Sequence, residues 1–91
     1  MKPEAERKQS PDKVIYDIIE GDYTVEMIDA LETTHWSEDY IDVLDALYKL
    51  KKKDKSMTME NIYKAGGQIV FMNALSCVTR IEQLLDMGRE I

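Results

Sequence analysis

One histidine, one cysteine and eighteen carboxylates are the side chains of this sequence best able to do chemistry. The histidine stands in HWSEDY, residues 35–40. His35 and Asp39 are four residues apart, a spacing at which two ligands on one helix reach the same metal ion. Ser37 reads as a helix start between them, however, and two ligands straddling a helix boundary fall short of the set a zinc site needs. His35 is therefore expected as an ordinary capping or surface residue. Cys77 lies in the apolar run ALSCV and has no second cysteine to pair with. It reads as a buried thiol of a reducing compartment rather than as a nucleophile, which needs an exposed, positively charged setting. None of the carboxylates falls with a histidine, a lysine or a glycine loop in a constellation suggesting a pocket. No GxSxG, phosphate loop or zinc-binding spacing occurs. Catalytic residues, a metal site and a cofactor are not expected, and the chain does not read as an enzyme.

The elements that carry these residues are helical throughout. Residues 1–9 are polar, without apolar periodicity, and read as a flexible N-terminal arm; residues 10–91 read as a single helical domain. SPDK opens a first helix, with Ser10 as N-cap, Pro11 at the first helical position and Asp12 in the positive first turn. Val14, Ile15, Ile18 and Ile19 form its apolar stripe, and Gly21 ends it. Val25, Met27, Ile28 and Leu31 mark a second, short amphipathic helix. Ser37 caps a third, on which Tyr40, Ile41, Leu44, Leu47, Tyr48 and Lys51 map one face, broadened by Val43 and Leu50. Ser56 or Thr58 caps a fourth, which Gly66-Gly67 breaks. The fifth, from about Gln68 to Met87 and closed by Gly88, is the longest and most apolar. No alternating strand pattern is visible. The expected fold is a compact all-α bundle of about five helices with a long, apolar C-terminal central helix. Leu, Ile, Val and Phe supply 22 of the 91 residues, above the roughly 20% below which a chain tends to stay unfolded.

Charge is distributed unevenly. Residues 12–45 carry eleven acids (Asp12, Asp17, Glu20, Asp22, Glu26, Asp29, Glu32, Glu38, Asp39, Asp42 and Asp45) against Lys13 alone, a net −10 within a chain whose total is −6. Residues 46–64 reverse the sign: six lysines stand against Asp54 and Glu60. The apolar faces of the first three helices must turn inward, so their acids turn outward together. Such a surface repels phosphate and attracts basic partners. Glu26, Asp29, Glu32, Glu38, Asp39, Asp42 and Asp45 are the residues expected to meet a partner. The plain alternative is a solvated face that keeps the protein in solution. The lysine run after the third helix complements the negative helix terminus, with a phosphate contact as the minority reading.

EDYIDVLDALYKL, then MTMENIYKAGG, then NALSCVTRIEQLLDMG resembles a winged-helix repressor over about half the chain. The resemblance rests on Ile62, Ala65, Ser76, Val78, Thr79, Leu84 and Gly88. It implies a short helix, a turn and a recognition helix lying in a DNA groove, hence a DNA-binding transcriptional regulator. Three features depart from the pattern. The segment before Ser76 is longer than a tight turn and apolar, no wing is expected between Gly88 and Ile91, and Arg80 is the one base on the reading helix. Phosphate neutralisation needs several bases on one face, so direct DNA binding is not the leading expectation. A histidine on a helical bundle is also similar to phosphotransfer domains, but there Lys and Gly follow closely, whereas acids follow His35.

The leading expectation is a small acidic intracellular protein-binding regulator or inhibitor. Its partner would be a basic, nucleic-acid-binding host protein, blocked by mimicry of DNA charge, and its size and charge suit a viral or plasmid-encoded origin. Ile69, Phe71, Leu75, Val78, Ile81 and Leu85 are expected to make the fifth helix either a core helix surrounded by others or half of a homodimer interface. No run of about 18 apolar residues is present to span a membrane, and no secretory signal opens the chain. The expected compartment is the cytoplasm.

Overall fold

The computed structural model describes residues 10–88. The expected N-terminal arm, residues 1–9, lies outside them. Five helices and no strand occupy the described residues: α1 Pro11–Ile19, α2 Val25–Asp29, α3 Glu38–Lys52, α4 Met59–Gly66 and α5 Gln68–Asp86. The all-α bundle is as the periodicity predicts.

The helix starts follow local chemistry, though not always through the expected hydroxyl. Ser10 and Ser37 take the extended backbone of an N-cap, yet neither side chain makes a capping hydrogen bond. Pro11 and the acidic first turns supply the start instead. Threonines do the capping elsewhere. The hydroxyl oxygen of Thr24 accepts from the Met27 N–H, and that of Thr58 from the Asn61 N–H, each at 3.1 Å. Thr58, rather than Ser56, is thus the cap of α4.

The two adjacent glycines have different tasks. Gly66 is the last residue of α4, and a β-carbon there would lie 2.5 Å from Cγ1 and 2.7 Å from Cβ of Val70. It lets the two helices approach closely at their junction. Gly67, at φ 92° and ψ −177°, occupies a backbone region open essentially to glycine alone. That single residue turns α4 into α5.

The core is built from Val14, Ile15 and Ile18 of α1, Ile28 of α2, Trp36, then Val43, Ala46, Leu47 and Leu50 of α3, Ile62 of α4, and Val70, Ala74 and Cys77 of α5. Helix α3 packs against all four others, whereas α5 packs against α1, α3 and α4, and α2 rests on α3 alone. The hub of the bundle is therefore α3. Of the two expectations for α5, enclosure by the other helices of the chain is not met. Its buried stripe is narrow, Val70, Ala74, Cys77 and Ile81 at helical spacing, and Ile69, Met72 and Leu75 are exposed, Ile69 to 72%. The stripe of α3 also sits differently. Val43, Ala46, Leu47 and Leu50 form its buried centre, while Ile41 stands 39% exposed. No described helix is long and apolar enough to cross a membrane.

Candidate functional site

All seven carboxylates singled out from the sequence, Glu26, Asp29, Glu32, Glu38, Asp39, Asp42 and Asp45, are exposed. Two packed elements present them: α2, with Glu26 and Asp29, and the first half of α3, joined by the segment that holds Glu32. On α3 the spacing of Glu38, Asp42 and Asp45 sets them on one stripe, which borders the buried Ala46. Ile41 adjoins that stripe, so the face combines charge with an exposed apolar side chain. The base count near it is small. Lys13 is tied to Asp17 on α1 at 2.7 Å, and Asp45 meets Lys49 at 3.3 Å, both well exposed. The Glu32 carboxylate accepts from the Thr34 hydroxyl at 3.1 Å, within the turn between α2 and α3.

Further along α3 the sign changes. The helix ends in a turn in which the Lys55 N–H donates to the Leu50 carbonyl at 2.9 Å and the Asp54 N–H to that of Lys51 at 3.0 Å, with Asp54 at φ 58°. Both bonds satisfy carbonyls left over at the helix end. They also fix the backbone that carries Lys53 and Lys55. With Lys49 of α3, and Asn61, Lys64 and Ala65 of α4, they surround a groove of about 350 Å³ whose apolar floor includes Leu50. The lysine run was visible in the sequence. Its meeting with Asn61 and Lys64 across a turn was not, because no periodicity links residues on two helices.

A second cluster ties α1 to α5. The Arg80 guanidinium donates through Nε to one Asp12 oxygen at 3.0 Å and through Nη2 to the other at 2.7 Å. It reaches the Tyr40 hydroxyl at 3.4 Å and the Cys77 sulfur at 3.8 Å. Partial burial pushes the Asp12 carboxyl up, but the hydrogen bonds, that from Arg80 foremost, outweigh it and hold the group below its ordinary value. Burial, reinforced by hydrogen bonding to Asp12, pushes the Cys77 thiol up to about 12. A thiol so held is protonated at neutral pH and a poor nucleophile. Asp12 stands in the first turn of α1, as expected from the helix dipole; its pairing with Arg80 across two helices leaves the base of the winged-helix resemblance engaged within the fold.

The outward face of α5 carries Met72, Leu75, Thr79 and Asp86, flanked by Glu82 and Gln83. Arg80, the one base of this helix, is held by Asp12. Helix α5 starts at Gln68, so Ser76 lies in its interior and not at the start of a reading helix. Beside it, the rings of Tyr63 and Phe71 meet edge to face at 5.8 Å and line a shallow apolar groove with Met59 and Gln68. Among the residues expected in the core or at a dimer interface, Ile81 is buried, Phe71 and Val78 are half-buried, and Ile69, Leu75 and Leu85 are exposed.

His35 is exposed, with its ring edge-on to the buried Trp36 at 6.4 Å. Among the described residues, no three His, Cys, Asp or Glu side chains gather in a way that would hold a metal ion. Comparison with protein-family models, with curated proteins and with solved structures finds no match.

Proposed function

We propose that this protein is a binding regulator or inhibitor whose acidic face, on α2 and the first half of α3, occupies a basic surface of a partner protein. The observation that carries this reading is the common exposure of Glu26, Asp29, Glu38, Asp39 and Asp42 on two packed elements, with no ion pair to any of them among the described residues. A field of one sign speeds encounter with the opposite sign and penalises wrong partners. Ile41 gives the face an apolar contact to add to its charge. A partner that ordinarily binds nucleic acid has the matching surface, and a protein of this kind acts on it by occlusion.

The test starts from affinity capture with the full chain, followed by binding of each captured protein to wild type and to the double variant Asp42→Lys, Asp45→Lys. Under this reading the double variant loses at least tenfold in association, most at low salt and mostly in the on-rate. Equal binding by both proteins at every salt concentration would leave the acidic face with a solubilising role only.

The exposed strip Ile69, Met72 and Leu75, continued by Tyr63, supports self-association through α4 and α5 as part of the same reading. Contiguous exposed apolar side chains of this kind mark contact surfaces more often than free ones. The DNA-reading alternative has less behind it, since the outward face of α5 offers acids and apolar groups where phosphate contacts need bases.

A further inference from the structure

The lysine groove at the far end of α3 adjoins the acidic face through the Asp45–Lys49 contact but presents the opposite charge, and its geometry is that of a receptor for negative charge. Four lysines, Lys49, Lys53, Lys55 and Lys64, line one open cavity of about 350 Å³. Two of them, Lys49 and Lys64, touch a carboxylate on their own helix, each at a long 3.3 Å and largely exposed. Pairs of that kind yield readily to a stronger anion. Lys53 and Lys55 have no ion pair among the described residues. Their backbone is fixed by the hydrogen-bonded turn around Asp54, so part of the ordering cost of binding is met before a ligand arrives. Asn61 is held at the rim, its side-chain amide donating to the Ser56 carbonyl at 2.9 Å.

We propose that this groove binds a compact polyphosphate chain, as carried by a nucleoside triphosphate or by inorganic polyphosphate. The volume lies at the small end of the range for ligand pockets, large enough for two or three linked phosphates against the Leu50 and Ala65 wall. The neighbouring cavity decides between a compact anion and a long one. Asp42 and Asp45 line it together with Lys49, directly beside the lysine groove. A nucleic-acid strand running out of the groove along α3 meets those carboxylates at once, whereas a short polyanion ends before reaching them. Like-charge exclusion at one end thus makes the lysine cluster selective for short ligands.

The experiment uses the full chain in calorimetric titrations at low salt, with inorganic tripolyphosphate, ATP without added metal, adenosine, and a single-stranded oligonucleotide. Saturable binding of tripolyphosphate or ATP is expected, with none of adenosine. ATP binding more tightly than tripolyphosphate would assign the natural ligand to the nucleotide class, and equal affinity would assign it to the phosphate chain alone. The variant Lys53→Gln, Lys55→Gln is expected to bind about tenfold more weakly. Lys51→Gln, Lys52→Gln, with the same change of net charge outside the groove, should bind as wild type does. Amide shifts on adding tripolyphosphate should concentrate at Lys53, Lys55, Asn61 and Lys64. Absence of saturable binding overturns the proposal. So does equal weakening by the two double variants, which would mean attraction to net charge, and so does tighter binding of the oligonucleotide than of tripolyphosphate. The acidic-face reading stands or falls separately, because neither lysine variant touches that face.

Discussion

At the residue scale the cluster of Asp12, Arg80, Tyr40 and Cys77 makes two predictions. The Asp12 carboxyl lies below its ordinary value of 3.8. It therefore stabilises the fold above that value, and the contribution disappears as the pH falls through the lowered one. Both partners are partly exposed, which limits the worth of the pair to about 0.5–1 kcal/mol. Arg80→Gln should reduce stability by that amount near neutrality, and urea midpoints of variant and wild type should converge only as the pH falls below the ordinary carboxylate value and through the lowered one. A gap that persists at low pH would assign the effect to packing of the arginine stem. Cys77 should react with iodoacetamide far more slowly in the folded protein than in urea; equal rates would contradict its burial. Gly66 supplies a third test. An added β-carbon meets Val70 at 2.5 Å, so Gly66→Ala should cost about 1–3 kcal/mol. Pairing it with Val70→Ala should cost less than the two single changes together, since the side chain in the way is then removed.

Among the elements, α3 illustrates what sequence pattern can and cannot deliver. Its limits, its acidic start and its basic end were all legible, because caps and dipole effects are local. Its buried face was read too broadly. Tyr40, Ile41, Leu44, Leu47 and Tyr48 are apolar, but only neighbours on other helices decide that Val43 and Ala46 take the centre and Ile41 the rim. The same limit applies to α5. Its composition suggested enclosure, yet α3 is the hub, and α5 keeps Ile69, Met72 and Leu75 outside. The carboxylates of the acidic face were legible as exposed because no apolar periodicity included them. The lysine groove was not, since it joins α3 to α4. If the outer strip of α5 pairs two copies, Ile69→Glu with Met72→Glu should give a folded protein that stays monomeric by light scattering at high micromolar concentration. Unchanged self-association in that variant, or a wild type already monomeric there, would remove the pairing. On α3, Asp42→Lys with Asp45→Lys should shift stability by about 0.5 kcal/mol or less, the exposed Asp45–Lys49 contact being worth little.

The whole molecule carries two adjoining regions of opposite charge, the acids of α2 and the first half of α3 beside the lysines that follow. Its total of −6 hides this separation. Duplex DNA spans more surface than the lysine region offers and must also face the acidic one. No micromolar binding to duplex is expected at about 150 mM salt. Micromolar affinity with a steep salt slope would falsify the acidic-inhibitor reading and restore the DNA-binding one.

The packing of α1 on α5 has a consequence for how the protein is made. Helix α1 is synthesised before α5, yet α5 is one of the surfaces that cover it. At about 5–20 residues per second, the 48 residues between them take several seconds to emerge. Throughout that interval Val14, Ile15 and Ile18, fully buried in the finished fold, lack part of their cover. The nascent chain thus displays a short sticky segment until α5 clears the ribosome. Within that window α1 is the stretch on which a chaperone would act, and a ribosome stalled before Cys77 would hold it open to unwanted pairing.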